Sequence, residues 1–120
     1  MTAARRVLGL MLALLALAAP AQAVTLRPVA AVPLTVHAGE IKTAQSRYVF
    51  GAKQVVVTYV YVNGREIPTS DHKAAATIVY AGDGTLVQVT VPTGTGPAHI
   101  KATTWLRTAR IVVRFRAFER

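Results

Sequence analysis

The sequence predicts an all-β fold, two layers of short strands around one core, and three observations carry that prediction. After residue 23 the chain is rich in Val, Thr, Ala and Tyr, which suit a pleated, half-buried surface better than a helix. Its apolar runs are short and alternate with period two, and turn sequences such as Asn63-Gly64 and Gly82-Asp83-Gly84 separate them. No segment beyond residue 23 repeats its apolar positions at helical spacing. Seven or eight strands spaced in this way fit a small sandwich.

Residues 1–23 stand apart from that pattern. Arg5 and Arg6 give a basic start, residues 7–19 form an apolar run, and Ala21-Gln22-Ala23 supplies the small-x-small pattern that signal peptidase reads. That run of 13 residues is shorter than the roughly 20 needed to span a bilayer as a helix, so cleavage before Val24 is expected. Arg5-Arg6 lacks the downstream context of twin-arginine export, which leaves ordinary secretion to the periplasm or the exterior. Removing the signal peptide leaves 97 residues, enough for one small domain and no second.

Residues 24–33 are apolar but interrupted by Pro28 and Pro33, which lack amide donors. This confines them to a sheet edge or to an extended arm ahead of a domain spanning 34–120, and such an arm can complete a partner's sheet. Residues 34–37 form a short strand, Ala38-Gly39-Glu40 a turn, and residues 46–50 a second strand closed by Gly51. The run QVVVTYVYV, Gln54–Val62, is β-branched and aromatic throughout and reads as a central strand. Asn63-Gly64 then suits a type I′ hairpin turn, with residues 65–67 as a brief return before Pro68. A polar loop over 69–73 follows, of the kind that carries a chain between two sheets. Residues 74–80 and 85–91 pair locally across Gly82-Asp83-Gly84, whose Asp83 most simply satisfies turn amides. After the loop PTGTGP, residues 98–106 and 110–118 complete the pattern as a final hairpin, with Ile111, Val113 and Phe115 opposite Arg114 and Arg116.

The stretch TLVQVTVPTGTGPAHIKATT contains a strand ending in Val-Pro, a Gly-rich turn and an Ile-containing strand, carried by Val89, Val91, Pro92, Gly94, Gly96 and Ile100. It resembles the closing strands of bacterial extracellular immunoglobulin-like domains of the TIG type, over about a fifth of the exported chain. The opening glycine-rich signature of that family has no counterpart here. The resemblance implies a single immunoglobulin-like sandwich of about seven strands that acts in binding or architecture rather than catalysis. A transmembrane barrel is disfavoured, because 97 residues barely cover eight spanning strands and the chain ends in Arg120.

The absence of cysteine removes thiol catalysis, thiolate metal sites, disulfides and a lipidated anchor, and both methionines fall within the signal. Chemistry must therefore come from Glu40, Glu66, Asp71, Asp83, Glu119, His37, His72 and His99. No spacing converges two carboxylates, and no Gly-x-Ser-x-Gly elbow surrounds Ser46 or Ser70. The contiguous Ser70-Asp71-His72 cannot adopt the convergent geometry of a triad. A metal site from the three histidines lacks any specific spacing, so no cofactor is expected, and a small periplasmic metal carrier stands last among the readings.

Charge is more informative. Beyond the signal, 12 Lys and Arg oppose 5 acids, a formal net of +7, and most of the excess lies in the last 20 residues. Such a region is either a solvated sheet face that keeps the protein soluble or a surface that attracts anionic polymers such as lipopolysaccharide, wall polymer or nucleic acid. An exported, non-enzymatic binding or assembly module of the cell envelope is the first reading and a cationic binder of anionic polymers the alternative, with Lys101, Trp105, Arg107, Arg110, Arg114 and Arg116 as the candidate residues for an envelope protein partner or a polymer. A turn at Thr108-Ala109 would put Trp105 outward beside Lys101, Arg114 and Arg116. A one-residue change would turn it inward with Ile111 and Val113, the register that the usual burial of Trp favours. Tyr59 and Tyr61 pose the same question, and oligomeric state is open.

Overall fold

The computed structural model describes residues 25–69 and 75–119. The proposed signal peptide, Val24, the segment with Ser70, Asp71 and His72, and Arg120 lie outside the described residues. Eight strands follow in order: β1 (Arg27–His37), β2 (Ile41–Phe50), β3 (Gln54–Val62), β4 (Arg65–Ile67), β5 (Ala76–Tyr80), β6 (Leu86–Thr90), β7 (Gly96–Thr103) and β8 (Thr108–Glu119). They form two four-stranded antiparallel sheets, β1-β8-β3-β4 and β2-β7-β6-β5. The chain is thus an all-β sandwich. Among the described residues, no helix is long and apolar enough to cross a membrane.

Period-two alternation creates the core. Val32, Leu34 and Val36 of β1, Ile111, Val113 and Phe115 of β8, and Val56, Val60 and Val62 of β3 face inward from the first sheet. Val79, Val87, Val89, Ala98, Ile100 and Ala102 face them from the second. The two layers meet at Phe50 and Phe115, both almost fully buried, whose rings touch edge to face with centroids 5.3 Å apart. Tyr48 extends the contact, with its ring 4.9 Å from that of Phe50. Aromatic pairs in this arrangement add about 0.5–1.5 kcal/mol beyond their burial.

Several local expectations appear as read. β3 and β4 have the expected bounds, and Asn63 and Gly64 both take positive φ, 50° and 80°, as a type I′ turn requires. Asn63 also extends the ladder past the turn, since its Oδ1 accepts the Arg110 N–H at 2.9 Å. Asp83 accepts the Thr85 N–H at 3.0 Å, the turn role expected of it. β4 and β5 lie in different sheets, so the intervening loop does cross between layers.

Two differences matter. Residues 27–33 belong to β1 and pair with β8 of the same chain, so this segment completes its own sheet and is not an arm outside the domain. An edge strand accepts prolines whose missing amides need no ladder partner, and the register shifts beside Pro28, between Pro28 and Ala30. The second difference concerns β7 and β8. They are not a hairpin: β7 pairs with β2 and β6, while β8 pairs with β1 and β3 in the opposite sheet.

A buried hydroxyl stabilises the break in β2. The register shifts between Gln45 and Val49, and Ser46 Oγ bridges the gap by donating to the Tyr48 carbonyl at 2.7 Å and accepting the Ala98 N–H at 2.9 Å. Phe115→Ala is expected to cost about 3–5 kcal/mol in urea denaturation, because it removes the ring that joins the sheets. Phe115→Leu should recover most of that loss.

Candidate anion-binding face

The final strand positions the main cluster. On β8, Ala109, Ile111, Val113, Phe115 and Ala117 are buried, so Arg110, Arg114 and Arg116 project from the outer face of the first sheet and are exposed. The adjacent β3 contributes Tyr59 and Tyr61 to the same face, because Val56, Thr58, Val60 and Val62 take the inward positions. Both tyrosines are half-buried, which answers the question of their register.

The rings and guanidinium groups interlock diagonally. Tyr59 lies directly opposite Arg114 in the ladder, yet the Arg114 guanidinium sits 5.7 Å from the centre of the Tyr61 ring. One step along, Arg116 lies 5.8 Å from the ring of Tyr59. Each contact orients a long side chain that would otherwise sample many rotamers. Val57, opposite Arg116 on this outer face, is only 5% exposed, as expected where long stems lie across a sheet. Tyr59, Tyr61, Glu66, Arg114 and Arg116 line a shallow recess.

Acids scarcely offset this charge. Glu40 accepts the His37 amide, Asp83 closes its turn and Glu119 ends β8. Among the described residues, only Glu66, opposite Tyr61 on β4, borders the arginines. On the other flank Arg110 and Arg114 face Thr35 and Ala31 of β1, which are uncharged. The stripe is therefore suited to hold anions: fixed cations along one strand, with aromatic surface between them.

The structure divides the six residues singled out from the sequence. Arg114 and Arg116 come together over the tyrosines, and Arg110 shares their face farther along β8. Lys101 does not join them, because β7 places it on the outer face of the opposite sheet, between Gln88 and Thr43. Trp105 and Arg107 lie in the loop that crosses from β7 to β8, and both are exposed. Trp105 is 84% exposed, so neither the inward register nor a hairpin beside Arg114 and Arg116 describes it. Tyr59 and Tyr61 are the partners that sequence reading left unassigned, and the alternation of QVVVTYVYV was the available signal.

Trp105 is nonetheless held in place. Its N–H donates to the Gly84 carbonyl at 3.2 Å, and Gly84, at φ +92°, leaves room for the indole. A Cβ on Gly84 would stand 3.1 Å from the Trp105 Cβ. Thr104 fixes the start of the crossing: its hydroxyl lies 2.8 Å from that of Thr85 and accepts the Leu106 N–H at 3.1 Å. His37 and His99 are exposed on different sheets, and His37 Nδ1 lies 3.2 Å from Thr108 Oγ1. Comparison with known proteins found no match to this chain among family models, curated proteins or solved structures.

Gly84→Ala should cost about 1–3 kcal/mol through backbone strain and shift the Trp105 fluorescence maximum. Gly39→Ala provides the control, since Gly39 has φ +83° with nothing near its Cβ position. It should lower stability without moving the tryptophan emission.

Proposed function

We propose that this protein is an exported, non-enzymatic β-sandwich that binds anionic polymers of the cell envelope through Arg110, Arg114 and Arg116. The observation that carries this reading is the line of three arginines on one outer face, two of them over Tyr59 and Tyr61. Along a strand, alternate residues stand about 6.8 Å apart, so Arg114 and Arg116 address successive charges of an extended polyanion. Lipopolysaccharide, phosphate-bearing wall polymer and nucleic acid share that chemistry.

Export rests on the signal-like pattern of residues 1–23, with the periplasm or exterior as destination. A non-enzymatic role agrees with the dispersal of Glu40, Glu66, Asp83 and Glu119 among turns, an outer face and a strand end. The immunoglobulin-like reading is kept as one of architecture. Here the first strand pairs with the last, whereas the immunoglobulin order sets ABED over CFG.

Binding to heparin, polyphosphate or lipopolysaccharide should weaken about tenfold or more between 50 and 200 mM salt. Charge reversal at Arg114 and Arg116 together should weaken it further by several-fold, measured by titration at fixed ionic strength. Lys101→Glu changes net charge on the opposite sheet and should leave affinity nearly unchanged. Binding indifferent to salt, or lost equally with Lys101→Glu, would remove the proposed face.

A further inference from the structure

The sandwich has an edge that its sequence does not guard. Exposed strand edges present unpaired amides and carbonyls, and proteins protect them with proline, charge, bulges or brevity. β1 carries Pro28 and Pro33. β2 breaks its register between Gln45 and Val49 and exposes Lys42 and Arg47. β4 is three residues long and exposes Arg65 and Glu66. Beyond the reach of β4, Thr58 and Tyr59 of β3 are engaged in further contacts.

β5 has none of these devices. Its sequence, ATIVY, is uncharged, contains no proline and pairs only with β6 among the described residues. Ile78 and Tyr80 are 67% and 64% exposed on its outer face.

Hydrogen bonding shows which backbone groups are open. The Val91 N–H donates to the Ala75 carbonyl at 2.7 Å and the Ala81 N–H to the Thr85 carbonyl at 3.0 Å, one at each end of the β5·β6 ladder. Antiparallel pairs alternate between bonded and non-bonded, so Thr77 and Val79 direct their backbone groups to β6. Ala76, Ile78 and Tyr80 therefore turn their N–H and C=O groups away from the sheet.

We infer that β5 is a self-association edge and that its occupant is β5 of a second copy. A twofold axis through Ile78 sets Ile78 against Ile78 and Ala76 against Tyr80, each pair exchanging two main-chain hydrogen bonds. The edge is thus complementary to itself, as an isologous interface must be, and this register is the one that engages all three outward-facing residues. Charge selects the same occupant. Two copies each carrying a formal excess of positive charge repel at most faces, but the outer positions of β5 and β6 are Ala76, Ile78, Tyr80, Leu86, Gln88 and Thr90, all uncharged. Among the described residues, pairing there sets no charged side chain of β5 against another, and the nearest cation is Arg65, which donates to the Ala81 carbonyl at 3.3 Å beyond the paired residues.

The axis stands perpendicular to the joined sheet, so the β1-β8-β3-β4 layers of both copies lie on the same side. Their arginine faces then point the same way. If the anion-binding reading holds, the dimer is bivalent, and one long polymer gains avidity from both faces.

Sedimentation equilibrium on the protein, purified as the cell processes it, tests the edge directly. A monomer–dimer equilibrium that closes at two is expected. Ile78→Lys sets two cations across the axis, and Ile78→Pro removes the outward amide while sparing the bonds to β6. Each should weaken dimerisation about tenfold or more, with the melting temperature nearly unchanged. Exchange of the Ile78 and Tyr80 amides should slow as protein concentration rises. Charge reversal at Arg114 and Arg116 should leave the dimer intact, which separates this edge from the proposed anion face. A monomer up to about 1 mM, growth beyond two copies, a dimer indifferent to both Ile78 variants, or a monomer that captures an extended peptide through β5 would each overturn the inference.

Discussion

Everything in this sandwich is organised around the double pairing of β8. It runs antiparallel to β1 on one side and β3 on the other, and it is the longest strand at 12 residues. Its inward side chains seal the core, with Phe115 meeting Phe50 of the opposite sheet. Because strand side chains alternate, the same backbone that buries Ile111, Val113 and Phe115 must present Arg110, Arg114 and Arg116 to solvent. Core and candidate site are two faces of one strand. A one-residue slip of β8 would exchange them, and apolar burial forbids it.

The passage from β7 to β8 decides how charge is distributed. Were these strands a hairpin, Lys101, Trp105 and the arginines would share a sheet. Thr104 is buried against Thr85, and its hydroxyl also holds the Leu106 amide, so the chain leaves one layer there and enters the other. The arginine stripe is thereby separated from the nearly neutral outer face of β5 and β6. The first sheet carries the arginine stripe, while the second keeps its cations on β2 and β7 and leaves the outer positions of β5 and β6 uncharged.

Much of the strand pattern was legible in the chain. Asn63-Gly64 announced its turn because few dipeptides tolerate two successive positive φ values, and Gly82-Asp83-Gly84 did so for a related reason. Alternation over β6 and β8 showed which of their residues form the core. Less legible was pairing beyond neighbours. Residues 27–33 looked like an arm because prolines weaken a strand, while their actual place beside β8 depends on residues some 80 positions away. Trp105 defied the usual burial of its type because Gly84, distant in sequence, accepts part of its indole at the surface.

The sequence by itself determined the all-β class, the hairpins at Asn63-Gly64 and Gly82-Asp83-Gly84, the inward and outward faces of β6 and β8, and the excess of positive charge. These depend on neighbouring residues, through propensity, turn chemistry and period-two alternation. Only the tertiary structure decided which strands share a sheet, and hence that Arg114 and Arg116 lie over Tyr61 and Tyr59 while Lys101 stands on the far side. Sheet partnership is set by the burial of whole faces against one another, which no local pattern encodes.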